Sequence, residues 1–201
     1  MSNKPEQPQL DIKALRRRDK QAFALLVDQN SDPIYRLALK MTGNPQDAED
    51  VLQETFIKAY NHIGSFEGRS KISTWLYQIA ANEALMLLRK RKDGLVNIDE
   101  GVDTDDGEVM PIQIVDWCCL PEKELLSAES RDHLWEAAMN LSDSTRAAFL
   151  LRDVEGLSTK EAAEALDISE SALKVRLMRA RMELREELSG YYSNKLARES
   201  Q

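Results

Sequence analysis

Ala48, Val51, Leu52, Thr55, Phe56 and Ala59 return every three or four residues, the spacing of one buried face on an α-helix. Asn44 is placed to cap that helix, and Pro45 stands at its first position, where a missing N–H costs nothing. Asp47 brings negative charge to the positive end of the helix dipole. The helix therefore has a well-specified start and one face that must be covered. Along another face run Asp50, Gln53, Glu54 and Ile57 at the same spacing. Two carboxylates, an amide and an apolar residue so aligned make either a solvated surface or a strip for docking a partner helix.

A loop follows, Gly64-Ser-Phe-Glu-Gly-Arg-Ser-Lys71, with two glycines, an aromatic and two cations. Ser73-Thr-Trp-Leu-Tyr-Gln-Ile-Ala-Ala-Asn82 then opens a second helix that runs to the basic cluster Arg89-Lys90-Arg91-Lys92. An aromatic in a basic loop, beside a helix with a polar Asn and a basic end, suits an unstacked base next to a phosphate backbone. Phe66, Gly68, Arg69, Ser70, Lys71, Asn82 and Arg89, Lys90, Arg91 and Lys92 are the candidates for that contact. The plain alternative is that Phe66 packs the loop against Trp75 and Tyr77. Upstream, Phe23, Leu26, Val27 and Asn30, then Ile34, Tyr35, Leu37, Ala38 and Met41, form two amphipathic patterns interrupted near Pro33 and closed by Gly43. They complete a first domain of three or four helices. Arg16, Arg17, Arg18 and Lys20 read as a solvated helix face.

A second helical run begins at Pro121-Glu122, with Leu125, Leu126, Leu134, Trp135, Ala138 and Leu141 at helical spacing. Arg146, Phe149, Leu150 and Val154 continue it behind a cap at Ser142-Asp143-Ser144, and Gly156 ends that helix. Ser158 with Glu161 three residues on is a capping box for a short helix carrying Ala162, Ala163 and Leu166. Asp167-Ile-Ser169 turns into a final helix, so the pair reads as a helix-turn-helix. On that final helix Leu173, Arg176, Leu177, Ala180 and Leu184 share an inward arc. Ser171, Lys174, Val175, Met178, Arg179 and Met182 share the opposite one. Cations there can meet phosphates or guanine edges, and the apolar side chains thymine methyls.

The net charge of −8 is unusual for a nucleic-acid-binding chain until it is divided. Residues 1–92 carry 15 Lys/Arg against 11 Asp/Glu, residues 93–130 carry 1 against 11, and residues 131–201 carry 11 against 13. The excess acidity is thus confined to a glycine-containing stretch that reads as a linker. Frames starting at Asp99 or Asp103 lack the glycine and glutamate of a calcium loop. That leaves a solubilising spacer on composition. Cys118 and Cys119 are neighbours, which suits neither a disulfide framework nor a zinc site, and two reduced thiols are expected.

The run from Asp47 to Phe56, followed by Phe66-x-Gly68 and Ser73 to Asn82, closely resembles the promoter-melting domain of bacterial sigma factors of the extracytoplasmic-function (ECF) group, in the sigma-70 superfamily. Ser169-x-x-Ala-Leu-Lys-x-Arg-Leu-x-Arg-Ala-Arg181 resembles the group's upstream-reading helix, with Met178 where some members carry an aromatic or other bulky residue. The likeness covers roughly residues 22–188. It implies an all-α chain of two small helical domains joined by a flexible acidic linker. The expected division is a disordered start over 1–9, a promoter-melting and polymerase-binding domain over 10–92, a linker over 93–120, a helix-turn-helix domain over 121–189 and a loose tail over 190–201.

By that resemblance Asp50, Gln53, Glu54 and Ile57 dock on the clamp helices of the largest subunit of core RNA polymerase. The Phe66 loop and Asn82 take single-stranded downstream element. Lys174, Val175, Met178 and Arg179, with Ser171 on the same arc, face the duplex upstream element. The linker is then a mimic occupying a nucleic-acid path in the polymerase, and an anti-sigma factor is an expected partner. No phosphate-cradling loop, nucleophile motif or metal-ligand cluster stands in the sequence, so binding rather than catalysis is expected, with no cofactor and no metal. The polar start without an apolar signal segment suggests a cytoplasmic protein without membrane insertion. A free-standing helix-turn-helix activator and a helical adaptor that binds only proteins are the rivals, but neither needs both the Asp50 stripe and the Phe66 loop.

Overall fold

The computed structural model describes residues 10–68, 70–95 and 128–199. The expectations for residues 1–9, Arg69, the interior of the linker, Cys118, Cys119, Leu125 and Leu126 lie outside them. Every regular element among the described residues is helical.

Helix α1 (Ile12–Arg16) is one short turn capped by Asp11, whose carboxylate accepts from the N–H groups of Lys13 and Ala14. Its Leu15 is fully buried. Arg18 takes a left-handed backbone, φ 58°, and Asp19 then caps α2 (Lys20–Thr42). The break expected near Pro33 does not occur: α2 is one helix through that residue. Proline removes a single N–H from the ladder. Here Leu26, Ile34, Leu37, Ala38 and Met41 are buried on both sides of it, and that packing outweighs one lost bond. Gly43, φ 68°, closes α2, with its N–H donated to the Leu39 carbonyl at 2.8 Å. Asn44 caps α3 (Pro45–His62) through the N–H groups of Gln46 and Asp47, as its sequence requires.

A 3-10 turn (Ile63–Ser65) and a short loop lead to α4 (Ile72–Leu95), which extends three residues past the expected start of the linker. Helices α2, α3 and α4 pack on one another around Ala48, Val51, Ala59, Leu76, Ala80 and Ala84. A bidentate ion pair from Arg91 to Asp47 ties the end of α4 to the start of α3.

The second group comprises α5 (Ala128–Asn140), α6 (Asp143–Phe149) running into a π turn (Leu150–Val154), α7 (Thr159–Ala165) and α8 (Glu170–Glu199). Arg146, read as part of the helical pattern, is 4 % exposed. It is held by Asp143 at 2.6 Å and the Met139 carbonyl at 2.8 Å, and burial lowers its pKa. Helix α8 continues past residue 189 to Glu199, and Tyr191 lies against the His133 ring at 3.9 Å.

The two groups touch. Lys40 lies 4.4 Å over the Trp135 ring, Lys92 approaches Asp143 at 3.4 Å, and a methyl built on Gly43 would come within 2.5 Å of Met139 Cε. Gly43→Ala should cost about 1–2 kcal/mol, because a left-handed backbone penalises any Cβ. The expected readout is a lower urea midpoint at unchanged slope. Adding Met139→Ala should recover little, since the flexible Met139 end can move aside; full recovery would show that the contact rather than the backbone was strained.

Candidate docking and nucleic-acid surfaces

Helix α3 turns Ala48, Val51, Thr55 and Ala59 inward and thereby leaves Asp50, Gln53, Glu54 and Ile57 outside. Ile57 is 53 % exposed, an apolar residue in water between carboxylates. Lys58 ties this face to the body: its ammonium is 2.6 Å from Glu83 on α4 and 3.9 Å from Glu54. Asp50, Gln53 and Glu54 on this strip are exposed.

At the α3–α4 connection lies an open cleft of about 400 Å³, walled by His62, Ser65, Phe66, Glu67, Gly68, Ser70 and Trp75. Phe66 does not stand free in it. The ring is 7 % exposed and meets Trp75 at 5.3 Å, tilted by 43°. The packing alternative is therefore realised on one side of Phe66, while the residue still walls the cleft. Gly68, φ 75°, faces open space.

Trp75, Gln78, Asn82 and Arg89 follow at helical intervals along α4; Asn82 is exposed, but neither it nor Lys71 is among the residues that wall the cleft. The basic cluster is divided. Arg89 and Lys90 are exposed, whereas Arg91 is engaged by Asp47 and Lys92 by Asp143.

The same region of α4 meets the second group. The Tyr77 hydroxyl donates to Glu155 at 2.8 Å, the Gln78 amide to the Glu164 carbonyl at 3.2 Å, and the Thr74 hydroxyl to Glu161 at 3.4 Å. Burial first, then the bond to Glu155, pushes the Tyr77 phenol up. Burial also lowers the Lys40 ammonium, with Glu155 acting in the opposite direction. Sequence reasoning missed Glu155 and Glu164, since nothing local marks an acidic residue as facing another domain.

In the helix-turn-helix, Ser158 Oγ accepts from Glu161 N at 3.2 Å and Glu161 accepts from Ser158 N at 2.9 Å, so the capping box is formed. Asp167, φ 53°, makes the turn, and Ser169 Oγ accepts from Ala172 N. Leu173, Leu177, Ala180 and Leu184 are buried, which points Ser171, Lys174 and Arg179 outward, all exposed. Val175 and Met178 are half-buried rather than fully outside; Met182, at 55 %, is the apolar residue that projects. Arg181 grips Asp153 with two bonds of 3.0 and 2.8 Å, fixing α8 against the π turn. That brace was hidden in the sequence because its partners are 28 residues apart.

Among the described residues there is no group of three side chains fit to hold a metal, and no helix long and apolar enough to cross a membrane.

The first helical domain and the helix-turn-helix together match sigma-type transcription factors. Residues 26–93 match sigma-70 region 2 and residues 131–184 match sigma-70 region 4. The ECF RNA polymerase sigma factor SigW of Bacillus subtilis is 38% identical over 177 residues, covering 88% of this chain and 94% of that one. The ECF RNA polymerase sigma-E factor of Haemophilus influenzae is 34% identical, covering 85% and 89%. The chain belongs to the ECF sigma factor family.

Among solved structures, CnrH in complex with the cytosolic domain of CnrY covers 89% of this chain and 95% of that chain, with TM-score 0.62 at 22% identity. The sigma factor RpoE in complex with the anti-sigma factor NepR from Bartonella quintana covers 84% and 98%, with TM-score 0.60 at 24% identity. Both share the fold.

The capping box gives a pH test. Its hydrogen bonds from the Ser158 side chain and backbone hold the Glu161 carboxyl below its ordinary value of 4.5. A carboxyl lowered by folding stabilises above its unfolded value, and that contribution disappears as pH falls through the folded one. Ser158→Ala should cost about 1 kcal/mol near neutrality. Its stability should then fall less steeply than the parent's on acidification below pH 4.5, measured by urea unfolding across the range. Parallel curves would show that the box does not couple to Glu161 protonation.

Proposed function

We propose that this chain is a promoter-specificity subunit: it binds core RNA polymerase, recognises the upstream and downstream promoter elements and promotes strand opening. The observation that carries the reading is the α3 strip, Asp50, Gln53, Glu54 and exposed Ile57, mounted on the same small domain as the aromatic cleft. A free-standing activator has no use for that pairing.

In the division of labour, residues 10–92 dock and melt, residues 121–189 read duplex, and residues 93–120 connect them through the polymerase as an acidic mimic of nucleic acid. The protein works by binding rather than catalysis, in the cytoplasm where the polymerase is. An anti-sigma factor is a fitting regulator, as the complex of RpoE with the anti-sigma factor NepR illustrates for that protein. Purified chain and core polymerase should together yield specific transcripts from a cognate promoter, and either one alone should not.

Three substitutions assign the surfaces. Glu54→Lys should weaken the polymerase complex by about 2 kcal/mol or more if the carboxylate becomes a buried paired contact. Unchanged co-elution with core enzyme would remove Glu54 from the interface.

Lys174→Ala and Arg179→Ala holoenzymes should lose upstream discrimination, by roughly 1–3 kcal/mol for a base-edge contact. A loss uniform over all upstream sequences instead assigns the residue to phosphate.

The Phe66 cleft should hold one base from the non-template strand, with Asn82 reading a neighbour. Unpairing costs a few kcal/mol, and stacking returns about 1–3 kcal/mol per base, so several groups must act together. Phe66→Ala holoenzyme should keep upstream duplex binding and lose affinity for single-stranded downstream element. Equal capture at matched folding stability would exclude Phe66.

A further inference from the structure

Two arginines of the N-terminal segment reach the cleft from behind. Arg16, the last residue of α1, donates from Nε to the Phe66 carbonyl at 2.6 Å, and Arg18 donates from Nη2 to the Asn61 carbonyl at 2.9 Å. These two carbonyls bracket the turn that carries one wall of the cleft. Asn61 lies in the last turn of α3, where carbonyls lack intrahelical partners and carry partial negative charge, so a guanidinium suits it. Arg18 also stands 5.8 Å from the Tyr60 ring.

The platform that presents these arginines is itself held, by the Asp11 cap at one end of α1 and the fully buried Leu15 at the other. Arg16, Arg17, Arg18 and Lys20 are all exposed, as the sequence suggested, yet two of them also hold backbone carbonyls. Those two form a latch on the α3–α4 connection.

We infer that Arg16, supported by Arg18, is a positioning residue for base capture: it holds the Phe66 backbone so that the ring stays stacked on Trp75 and the cleft stays open. This rests on the reading of that cleft as the base site. A loop left free would have to be ordered each time a base enters, and binding would carry that entropic cost. A guanidinium directed at a peptide carbonyl neutralises no phosphate. The latch therefore acts on captured bases without changing the salt dependence of binding.

The test uses holoenzyme reconstituted with the parent chain, Arg16→Ala, Arg16→Lys, Phe66→Ala, or Arg16→Ala with Phe66→Ala. Each is titrated with single-stranded downstream element and with the same strand made abasic at the captured position. Arg16→Ala should weaken binding of the intact strand roughly tenfold, the scale of one charge-assisted hydrogen bond. It should leave the abasic strand, the salt slope and upstream duplex binding unchanged. Arg16→Lys, which keeps a donor within reach, should restore most of the loss, and the double variant should be no weaker than Phe66→Ala alone. Amides of residues 63–68 should exchange faster in Arg16→Ala while those of α2 and α3 keep their protection.

Additive losses with a salt slope reduced by about 0.7 would make Arg16 a phosphate contact and overturn the inference. So would normal capture by Arg16→Ala where Phe66→Ala loses it. If Phe66→Ala captures the base as the parent does, the cleft is not the site, and both readings fall together.

Discussion

Close helix approach is the constraint on which the first domain depends. Ala38 on α2, Ala48 and Ala59 on α3, and Ala80, Ala81 and Ala84 on α4 have no exposed surface. Side chains this small let helix axes come toward the near end of the usual 8–10 Å separation. Leu26, Leu37, Val51 and Leu76 then fill what the alanines leave, and there is little tolerance for a shifted register. With the inward faces settled in this way, the direction of every outward face follows. The α3 strip is presented to solvent because the opposite side of α3 has nowhere else to go, and the cleft forms where α3 and α4 are joined.

The contact between the two domains has a different character. Tyr77 to Glu155, Thr74 to Glu161, Gln78 to the Glu164 carbonyl and Lys92 to Asp143 are polar and partly solvated, each of modest net value in water. Apolar residues of both groups also belong to one continuous buried cluster, so the contact is not polar throughout. These polar contacts lie along α4. Asp50, Gln53, Glu54 and Ile57 on α3 are exposed while these contacts are made.

Local chemistry was legible from the residues alone. The Asn44 cap, Pro45, the Ser158–Glu161 box and the inward arc of α8 are all interactions between residues a turn or so apart, and each is present. The all-helical class and the helix-turn-helix followed from the same short-range patterns. Sequence reasoning erred where a local signal competed with burial. Pro33 did not break α2, because packing on either side of it outweighs the local preference. Val175 and Met178 were read as outward from helical phase. They are half-buried because the boundary of a helix face depends on what packs beside it.

The sequence by itself determined the helices, their caps, the spacing of the docking strip and the chemical types available to each surface. Those depend on neighbours within a few residues, whose geometry the helix dictates. Tertiary structure alone decided which charges are engaged. It joined Arg91 to Asp47, Arg181 to Asp153, and Arg16 to the Phe66 carbonyl across 50 residues of chain. A cation in a sequence carries no mark of the carbonyl or carboxylate that will reach it, because that partner is chosen by how the helices pack and not by distance along the chain. For the same reason the ring of Phe66 could be recognised as an aromatic in a basic loop, while its place against Trp75, half wall and half core, depended on the fold.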